Sequence, residues 1–97
     1  MNTYVVLLNL TEKGVATVTE GAERTAIVRK HLEGIGGRIK DFYLTMGGYD
    51  FVVIFEVPDD IEMAKLLLTI GRLGAARTTC MRAFGEEDYA TILGGLS

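Results

Sequence analysis

The sequence predicts an α+β fold in which an antiparallel sheet carries its two long helices on one face. Two observations predict it. Residues 3–10 and 51–57 are apolar at nearly every position, which is typical of central strands covered on both faces. Residues 19–35 and 60–73 instead repeat their apolar positions at helical spacing. With one further strand after each helix, the order is β-α-β-β-α-β, and right-handed crossovers then place both helices on the same side.

The first half of the chain supplies one strand and two helical segments. After the strand, Thr11 is expected to cap a short helical turn that Gly14 weakens. A longer helix is predicted from Thr19 to about Ile35, where the pair Gly36-Gly37 ends it. The less polar side of this helix, on a wheel of ~100° per residue, contains Thr25, Val28, Leu32 and Ile35.

A hairpin of two strands follows this helix. Residues 38–46 predict the second strand, and a bulge is expected there because Ile39 is out of phase with the apolar positions that follow it. Residues 51–57 predict the third strand. Between the two strands, Gly47 and Gly48 supply the positive φ angles that a tight hairpin needs.

The second long helix differs from the first in how much of its surface is apolar. Pro58 ends the third strand, and Asp59 is expected to cap a helix that runs from about Asp60 to Leu73. Its polar residues occupy only ~80° of the wheel, so one sheet cannot cover the apolar remainder. Residues 75–84 predict the fourth strand, and a short last helix is predicted from residue 86 to about residue 94.

The second face of the predicted sheet is uncovered, although the first and third strands are apolar on both sides. Burying one large apolar side chain is worth ~1.5–3 kcal/mol, and a whole domain is stable by only ~5–15 kcal/mol. We therefore expect a second copy to cover this face through a two-fold axis. The result would be a ferredoxin-like dimeric α/β barrel, as a homodimer or part of a higher homo-oligomer.

Composition limits the classes of partner. The chain has 97 residues, 48% of them hydrophobic and 24% charged, so residues 1–97 are expected to form a single globular domain. A net charge of −3 gives no field that attracts phosphate or anionic lipid, so nucleic acid and membranes are not expected partners. The apolar runs are too short to cross a bilayer. The single cysteine, Cys80, fits a reducing cytoplasm.

Segments distributed along the whole chain form a recognisable pattern. They are Tyr4–Asn9 with Thr11, Gly36–Arg38, Phe42–Ile54, Pro58–Asp60, Arg77-Thr78 and Arg82–Phe84. Together they resemble the GYD domain family of small bacterial and archaeal proteins, named for the motif that stands here as Gly48-Tyr49-Asp50. The resemblance implies the dimeric α/β-barrel variant of the ferredoxin-like fold. It supplies no established reaction and no catalytic residue.

The hairpin and the last strand supply the candidate binding residues. Tyr49 and Asp50 open the third strand, so their side chains are expected on opposite faces. In a structural interpretation, Asp50 bonds amides of the turn and Tyr49 covers the end of the sheet. In a functional one, Tyr49 is a hydrogen-bond donor at a pocket mouth and Asp50 accepts from an arginine. Tyr43, Thr45, Tyr49 and Arg82 would then line the rim of an apolar pocket for a small organic ligand, with Arg82 as its anionic anchor.

Structural alternatives exist for the other polar residues of the last strand. Arg82 either anchors that ligand or pairs with a carboxylate such as Asp50 or Glu56. Cys80 is expected to be a buried structural thiol. One histidine and one cysteine do not provide a zinc spacing, and the acidic residues from Asp59 onward are explained as a helix cap, so no metal site is expected.

His31 is the candidate catalytic residue, because its ordinary pKa suits proton transfer near neutrality. It lies at the border of the apolar stripe, so it is either a packing residue or an acid-base or ligating group. Three functions follow: a small-ligand-binding or sensing module, which we favour; a cofactor-free or haem-assisted monooxygenase or isomerase; and a structural oligomer without a pocket. No cofactor is expected, and haem belongs only to the second function, which rests on analogy of fold.

Overall fold

The computed structural model describes residues 1–96, and it forms one four-stranded sheet with helices on one side. Ser97, the last residue of the predicted domain, lies outside the described residues. The elements are β1 (Asn2–Leu10), α1 (Glu12–Ala16), α2 (Gly21–Ile35), β2 (Arg38–Leu44), β3 (Phe51–Val57), α3 (Asp60–Arg72), β4 (Ala76–Ala83) and α4 (Glu86–Gly94). The strand order is β2-β3-β1-β4, and every neighbouring pair is antiparallel. The predicted α+β ferredoxin-like fold is confirmed.

The hydrophobic core lies between the sheet and the two long helices. Helix α2 packs against β2, and α3 packs against β4 and β3. Alternate residues of β1 and β3 face the helices, as strand geometry requires. The buried core residues are Tyr4, Val6, Val28, Leu32, Val53, Phe55, Val57, Met63, Leu66 and Ile70.

Both predicted helix caps are confirmed. The Thr11 Oγ1 accepts a hydrogen bond from the Gly14 amide at 3.1 Å, and Asp59 Oδ1 accepts one from the Glu62 amide at 2.8 Å. Gly14 has a further role, because a Cβ there would lie 2.0 Å from the carbonyl oxygen of Ala75. Glycine therefore allows α1 to pack directly against the chain entering β4, whereas the sequence indicated only a weak helical turn.

Helix α2 begins two residues later than predicted. A single 3₁₀ turn, Val18–Glu20, precedes it, and Thr19 does not cap the helix. The turn is held from inside the helix: the guanidinium of Arg24 donates to Thr17 Oγ1 and to the Thr17 carbonyl oxygen, both at 3.0 Å. This tertiary contact has no local signature in the sequence. At its other end α2 closes with Gly36 at φ +73°, as predicted.

The predicted bulge in β2 is confirmed between Ile39 and Asp41. Ile39 pairs with Phe55 and Phe42 pairs with Val53, so both residues lie on the helix side of the sheet. The extra residue at the bulge restores the phase between them. The strand itself ends at Leu44, two residues before the predicted end.

The other side of the sheet, which we call the open face, has no helix over it. Its centre consists of apolar side chains that are half-buried or exposed: Val5, Leu7, Tyr43, Val52, Ile54 and Met81. Helix α3 also keeps exposed apolar residues, Ile61 and Leu68, as its wheel predicted. Among the helices within residues 1–96, none is long and apolar enough to span a membrane.

Helix α4 stands apart from the rest of the molecule. None of its residues is buried, and it makes no extensive contact with another described element. The molecule measures 52 × 32 × 18 Å with a radius of gyration of 14.7 Å. A compact domain of this length has a radius of gyration of about 13 Å. The chain is therefore elongated, with α4 projecting after the end of β4.

Candidate functional site

The hairpin loop between β2 and β3 is wider than the predicted two-glycine turn. The Thr45 amide donates to the Asp50 carbonyl oxygen at 2.8 Å, and Thr45 Oγ1 donates to the Tyr49 carbonyl oxygen at 2.6 Å. Only Gly47 has a positive φ, of +128°, while Gly48 does not. The prediction that both glycines supply positive φ was wrong, because Thr45 closes the loop from its side chain and one left-handed residue is enough.

Asp50 fastens the end of β3 to β1. Its amide donates to the Leu8 carbonyl oxygen at 2.9 Å, and its Oδ2 accepts from the Leu10 amide at 2.8 Å. The carboxylate thus continues the ladder beyond the last paired residues. Its observed partner is a backbone amide of the neighbouring strand, whereas the sequence suggested either an amide of the turn or an arginine.

The proposed rim residues do not lie together within one chain. Thr45 and Tyr49 share the hairpin loop, and Tyr43 lies nearby on β2, exposed on the open face. Arg82 lies on β4, the opposite edge of the sheet, where it pairs with Tyr4 near the other end of the strands. The predicted rim of Tyr43, Thr45, Tyr49 and Arg82 is therefore not formed by a single chain, because two edge strands separated by β3 and β1 carry its members.

Arg82 belongs to a separate cluster at that corner. Its guanidinium lies 4.5 Å from the ring centroid of Phe84 and 5.6 Å from that of Tyr4. Its Nη2 donates to Asn2 Oδ1 at 3.0 Å, and its Nη1 donates to the carbonyl oxygen of Ala83. The suggested pairing of Arg82 with Asp50 or Glu56 is not found, and Glu56 instead pairs with Arg38.

Tyr4 connects this corner to α3. Its hydroxyl donates to Asp60 Oδ1 at 2.5 Å and accepts from Asn2 Nδ2 at 3.2 Å. Burial raises the pKa of Tyr4 above its ordinary value of 10.0, and the hydrogen bond to Asp60 raises it further. The tyrosine is therefore a neutral donor at physiological pH. The apolar pattern of β1 predicts Tyr4 only as a strand residue, and nothing local in the sequence indicates this role.

His31 is half-buried on α2, at the border of the core as its wheel position predicted. Its Nε2 is buried and has no hydrogen-bond partner among residues 1–96. His31 lines neither of the two cavities described below. Within this chain it is thus not placed to act on a molecule held in either of them.

Two adjoining cavities lie on the helix side of the sheet: the inner one extends from α2 to α3 and the start of β4, and the outer one lies between α2 and the β2–β3 pair. The inner one, of about 120 Å³, has an almost entirely apolar lining that includes Val28, Val53 and Phe55. The outer one, of about 490 Å³, is a shallow cleft lined by Gly21, Ala22, Thr25, Ala26, Arg29, Phe42 and Phe51. We call the outer one the α2 cleft. Gly21, Thr25 and the two phenylalanine rings line both cavities, and these rings lie 5.5 Å apart between centroids.

The α2 cleft was not predicted from the sequence. Its signal is the succession of small residues at helical spacing, Ala22, Thr25 and Ala26, on a side of α2 adjacent to the core stripe. The aromatic partners Phe42 and Phe51 could not be assigned to this side without the pairing of β2 with β3. In the part of the chain that the structure describes, no group of three metal-ligating side chains is found.

The strand order and the one-sided helices define a ferredoxin-like α+β protein. Solved structures agree with this class. MtbAldR superposes with a TM-score of 0.67 over 88% of this chain and 52% of its own, at 13% identity. FFRP-DM1 superposes with a TM-score of 0.61 over 87% of this chain and 100% of its own, at 20% identity. At these identities the likeness shows the fold alone, and this chain spans about half of MtbAldR.

The sequence places the chain within one family of that class. It belongs to the GYD domain family, whose model matches residues 4–93. A relative from Thermus thermophilus is 33% identical over 94 residues, which are 96% of this chain and 99% of the relative. That relative is the glutamine synthetase and cystathionine beta-lyase binding protein. The resemblance to the GYD family drawn from the sequence is confirmed.

Proposed function

We propose that this protein is a cytoplasmic binding module that works as a homodimer, with its two copies packed through the open faces of their sheets. One observation carries the dimer: β1 and β3 present Val5, Leu7, Val52 and Ile54 to a side that no described helix covers. Exposed apolar patches of this kind mark interaction surfaces. A two-fold contact lets one patch cover its own copy.

The size of the open face is consistent with a contact between copies. Four strands ~4.8 Å apart and about seven paired residues with a rise of ~3.3 Å give roughly 400 Å² of projected area per copy. Stable interfaces bury about 800 Å² of accessible surface per partner. Side-chain relief adds accessible surface beyond the projected area, and contacts outside the sheet add the remainder.

The homodimer is tested by placing a charge on each side of the sheet. Ile54→Glu buries a carboxylate in the proposed contact, which costs several kcal/mol, and we expect native mass spectrometry and sedimentation to show a dimer that is weakened at least a hundredfold. Leu68→Glu, at an exposed position of α3, is the matched control and should leave dimers. A dimer dissociation constant in Ile54→Glu equal to that of the wild type, or a wild-type protein that stays monomeric at high concentration, would overturn the proposal.

The binding function is supported by the relative that binds two enzymes and by the apolar surface of α3. Ile61 and Leu68 are exposed there and stay outside the proposed dimer contact. We therefore propose a protein partner for the dimer, and purified glutamine synthetase is the first to test. Binding measured by sedimentation should weaken in Leu68→Glu and remain in the control Glu87→Ala, whose site is on α4. Binding that is equal in both variants, or absent from the wild type, contradicts this assignment.

A small ligand is a second candidate function, favoured by the inner cavity. A cavity of about 150 Å³ holds a molecule of benzene size, so the 120 Å³ cavity would accept one small apolar ring or branched chain. The rim predicted from the sequence for a small organic ligand, Tyr43, Thr45, Tyr49 and Arg82, would need a site assembled by two copies, because these residues are far apart in one chain. Native mass spectrometry of untreated protein would show such a molecule as excess mass. The bare dimer mass would argue against retention.

A further inference from the structure

Helix α4 carries an apolar stripe that nothing in its own chain covers. Tyr89, Ile92 and Leu93 are spaced i, i+3 and i+4, which places them on one side of α4, and Leu96 follows two residues after the helix ends at Gly94. Between 46% and 68% of each side chain is exposed. The first turn adds three acidic residues, of which Glu86 and Asp88 flank the stripe. This is the pattern of a helix that inserts into an apolar groove.

The α2 cleft offers a groove of matching chemistry and length. Its helix side consists of Gly21, Ala22, Thr25 and Ala26, whose small side chains let a second helix approach closely. Phe42 and Phe51 form the opposite wall. From Gly21 to Arg29 the cleft follows about 12 Å of helix, and the nine residues of α4 have a length of about 13 Å.

We propose that α4 of one copy docks antiparallel to α2 in the α2 cleft of a second copy. In this arrangement Leu96 lies over Ala22, and Ile92 with Leu93 lies over Thr25 and Ala26. One of these two apolar side chains enters the inner cavity, whose 120 Å³ accept a group of that size. The inference concerns a different surface from the open face, and it does not require the contact proposed there.

Charged residues determine the direction in which α4 lies along α2 and which residues of the two helices face each other. Arg29 is exposed at the end of the small-residue strip, and within residues 1–96 its guanidinium forms no ion pair. An antiparallel α4 brings its acidic first turn to Arg29 and opposes the two helix dipoles. In this register Asp88 lies beside Arg29, and a shift of α4 toward the C-terminus of α2 would bring Glu86 onto Glu33, which repels it. Docking is therefore confined to the first turns of α2.

The helix of the same chain cannot occupy this cleft. α4 begins two residues after β4, which lies at one edge of the sheet, whereas α2 packs against β2 at the other edge. The two edges are about 14 Å apart across the strands, and α3 lies between them on the helix side. Two linking residues, Phe84 and Gly85, span at most ~7 Å. The occupant must come from another molecule.

Cross-linking between full-length chains tests the exchange. Both chains carry Cys80→Ala; one adds Ala22→Cys and a mass tag, and the other adds Leu96→Cys. On mixing under mild oxidation, the mixed disulfide should form at least tenfold faster than with Thr91→Cys, whose side chain points away from the stripe. Equal rates with the two cysteine positions would overturn the proposal. So would a double variant, with both cysteines in one chain, that closes within the monomer at high dilution.

Charge reversal supplies an independent measurement. Arg29→Glu should slow the cross-link several-fold, and Asp88→Arg in the other chain should restore it. A rate that Arg29→Glu leaves unchanged contradicts the proposed register. Native mass spectrometry distinguishes the α4 exchange from the open-face dimer. If the protein is dimeric but the Ala22–Leu96 cross-link does not form, only the exchange is overturned. If the cross-link forms between chains that are otherwise monomeric, only the open-face dimer is overturned.

Discussion

The two faces of the sheet are built from similar residues and have different surroundings. On the helix side of β1 and β3, Val6 and Val53 are buried, whereas their neighbours Leu7 and Val52 on the open face are only half-buried. Residue type therefore does not distinguish the faces of these strands. The connections do, because both crossovers place their helices on the same side. When a sheet has helices on one face only, a strand that is apolar on both faces thus indicates that the uncovered face is an interaction surface.

The largest expected difference between the two faces is in how much a substitution on each face lowers the free energy of unfolding. Phe55→Ala opens a cavity on the helix side and should lower the free energy of unfolding by about 3–5 kcal/mol. Ile54→Ala, one residue away on the open face, should cost less than about 1.5 kcal/mol in the monomer, because the side chain already meets water. Urea unfolding at low protein concentration measures both. Equal losses would mean that the open face is packed as tightly as the core.

The next largest loss of stability is expected from substitution of Asp50, which lies immediately before the start of β3. Asp50→Ala removes the acceptor of the Leu10 amide and should cost about 1.5–3 kcal/mol, the usual range for hydrogen bonds to a charged group. Asp50→Asn retains an acceptor oxygen and should cost less. Hydrogen exchange at the Leu10 amide should accelerate in the alanine variant. An unchanged exchange rate would refute the role assigned to this carboxylate.

Tyr4 on the helix side and Tyr43 on the open face give a smaller contrast. Tyr4→Phe should cost about 0.5–1.5 kcal/mol through loss of the Asp60 hydrogen bond, and Tyr43→Phe should cost almost nothing. Because the pKa of Tyr4 is raised above 10.0, its contribution is complete below pH 10.0 and is lost as the pH rises through the folded-state pKa. Wild type should therefore lose more stability at alkaline pH than Tyr4→Phe. Parallel curves for the two proteins would contradict this.

The smallest expected difference between the two faces is in the chemical reactivity of one side chain on each, and it involves no change in stability. Cys80 and Met81 are neighbours on β4 with opposite orientations, Cys80 toward the helices and Met81, 46% exposed, on the open face. Burial raises the pKa of the Cys80 thiol, so it should react slowly with a thiol reagent at neutral pH and rapidly after unfolding. In the Ile54→Glu variant, whose open face is left uncovered, mild peroxide should oxidise Met81 while Cys80 remains unmodified, as peptide mass mapping can show. Preferential attack at Cys80 would reverse the assignment of the faces.

The sequence predicted the fold well because its signals are local. Apolar strands, the caps at Thr11 and Asp59, the end of α2 at Gly36 and the out-of-phase Ile39 each depend on residues that are near one another in the chain. The start of α2 was misplaced because the contact that decides it, from Arg24 to Thr17, comes from tertiary geometry. Gly14 was misinterpreted for a similar reason, since its packing partner, Ala75, is distant in sequence.

The candidate site was predicted less well than the fold. The proposed rim combined Tyr43 and Tyr49 with Arg82, which requires knowing that β2 and β4 occupy opposite edges and that Arg82 lies near the far end of its strand. Periodicity assigns a residue to a face but not to a corner of the sheet. The α2 cleft was missed because its walls come from a helix and two strands whose relative placement depends on the fold.

The bulge at Lys40 affects how β2 behaves as an edge strand. An exposed edge offers unpaired amides and carbonyls that can recruit a strand from another molecule, and this is a common route to fibrils. Here the edge carries Arg38, Lys40 and Asp41 around an interruption of its regular hydrogen-bonding pattern. These charges and the local twist oppose the addition of a fifth strand at this segment. Fibril growth by strand addition at this segment of β2 is thereby discouraged.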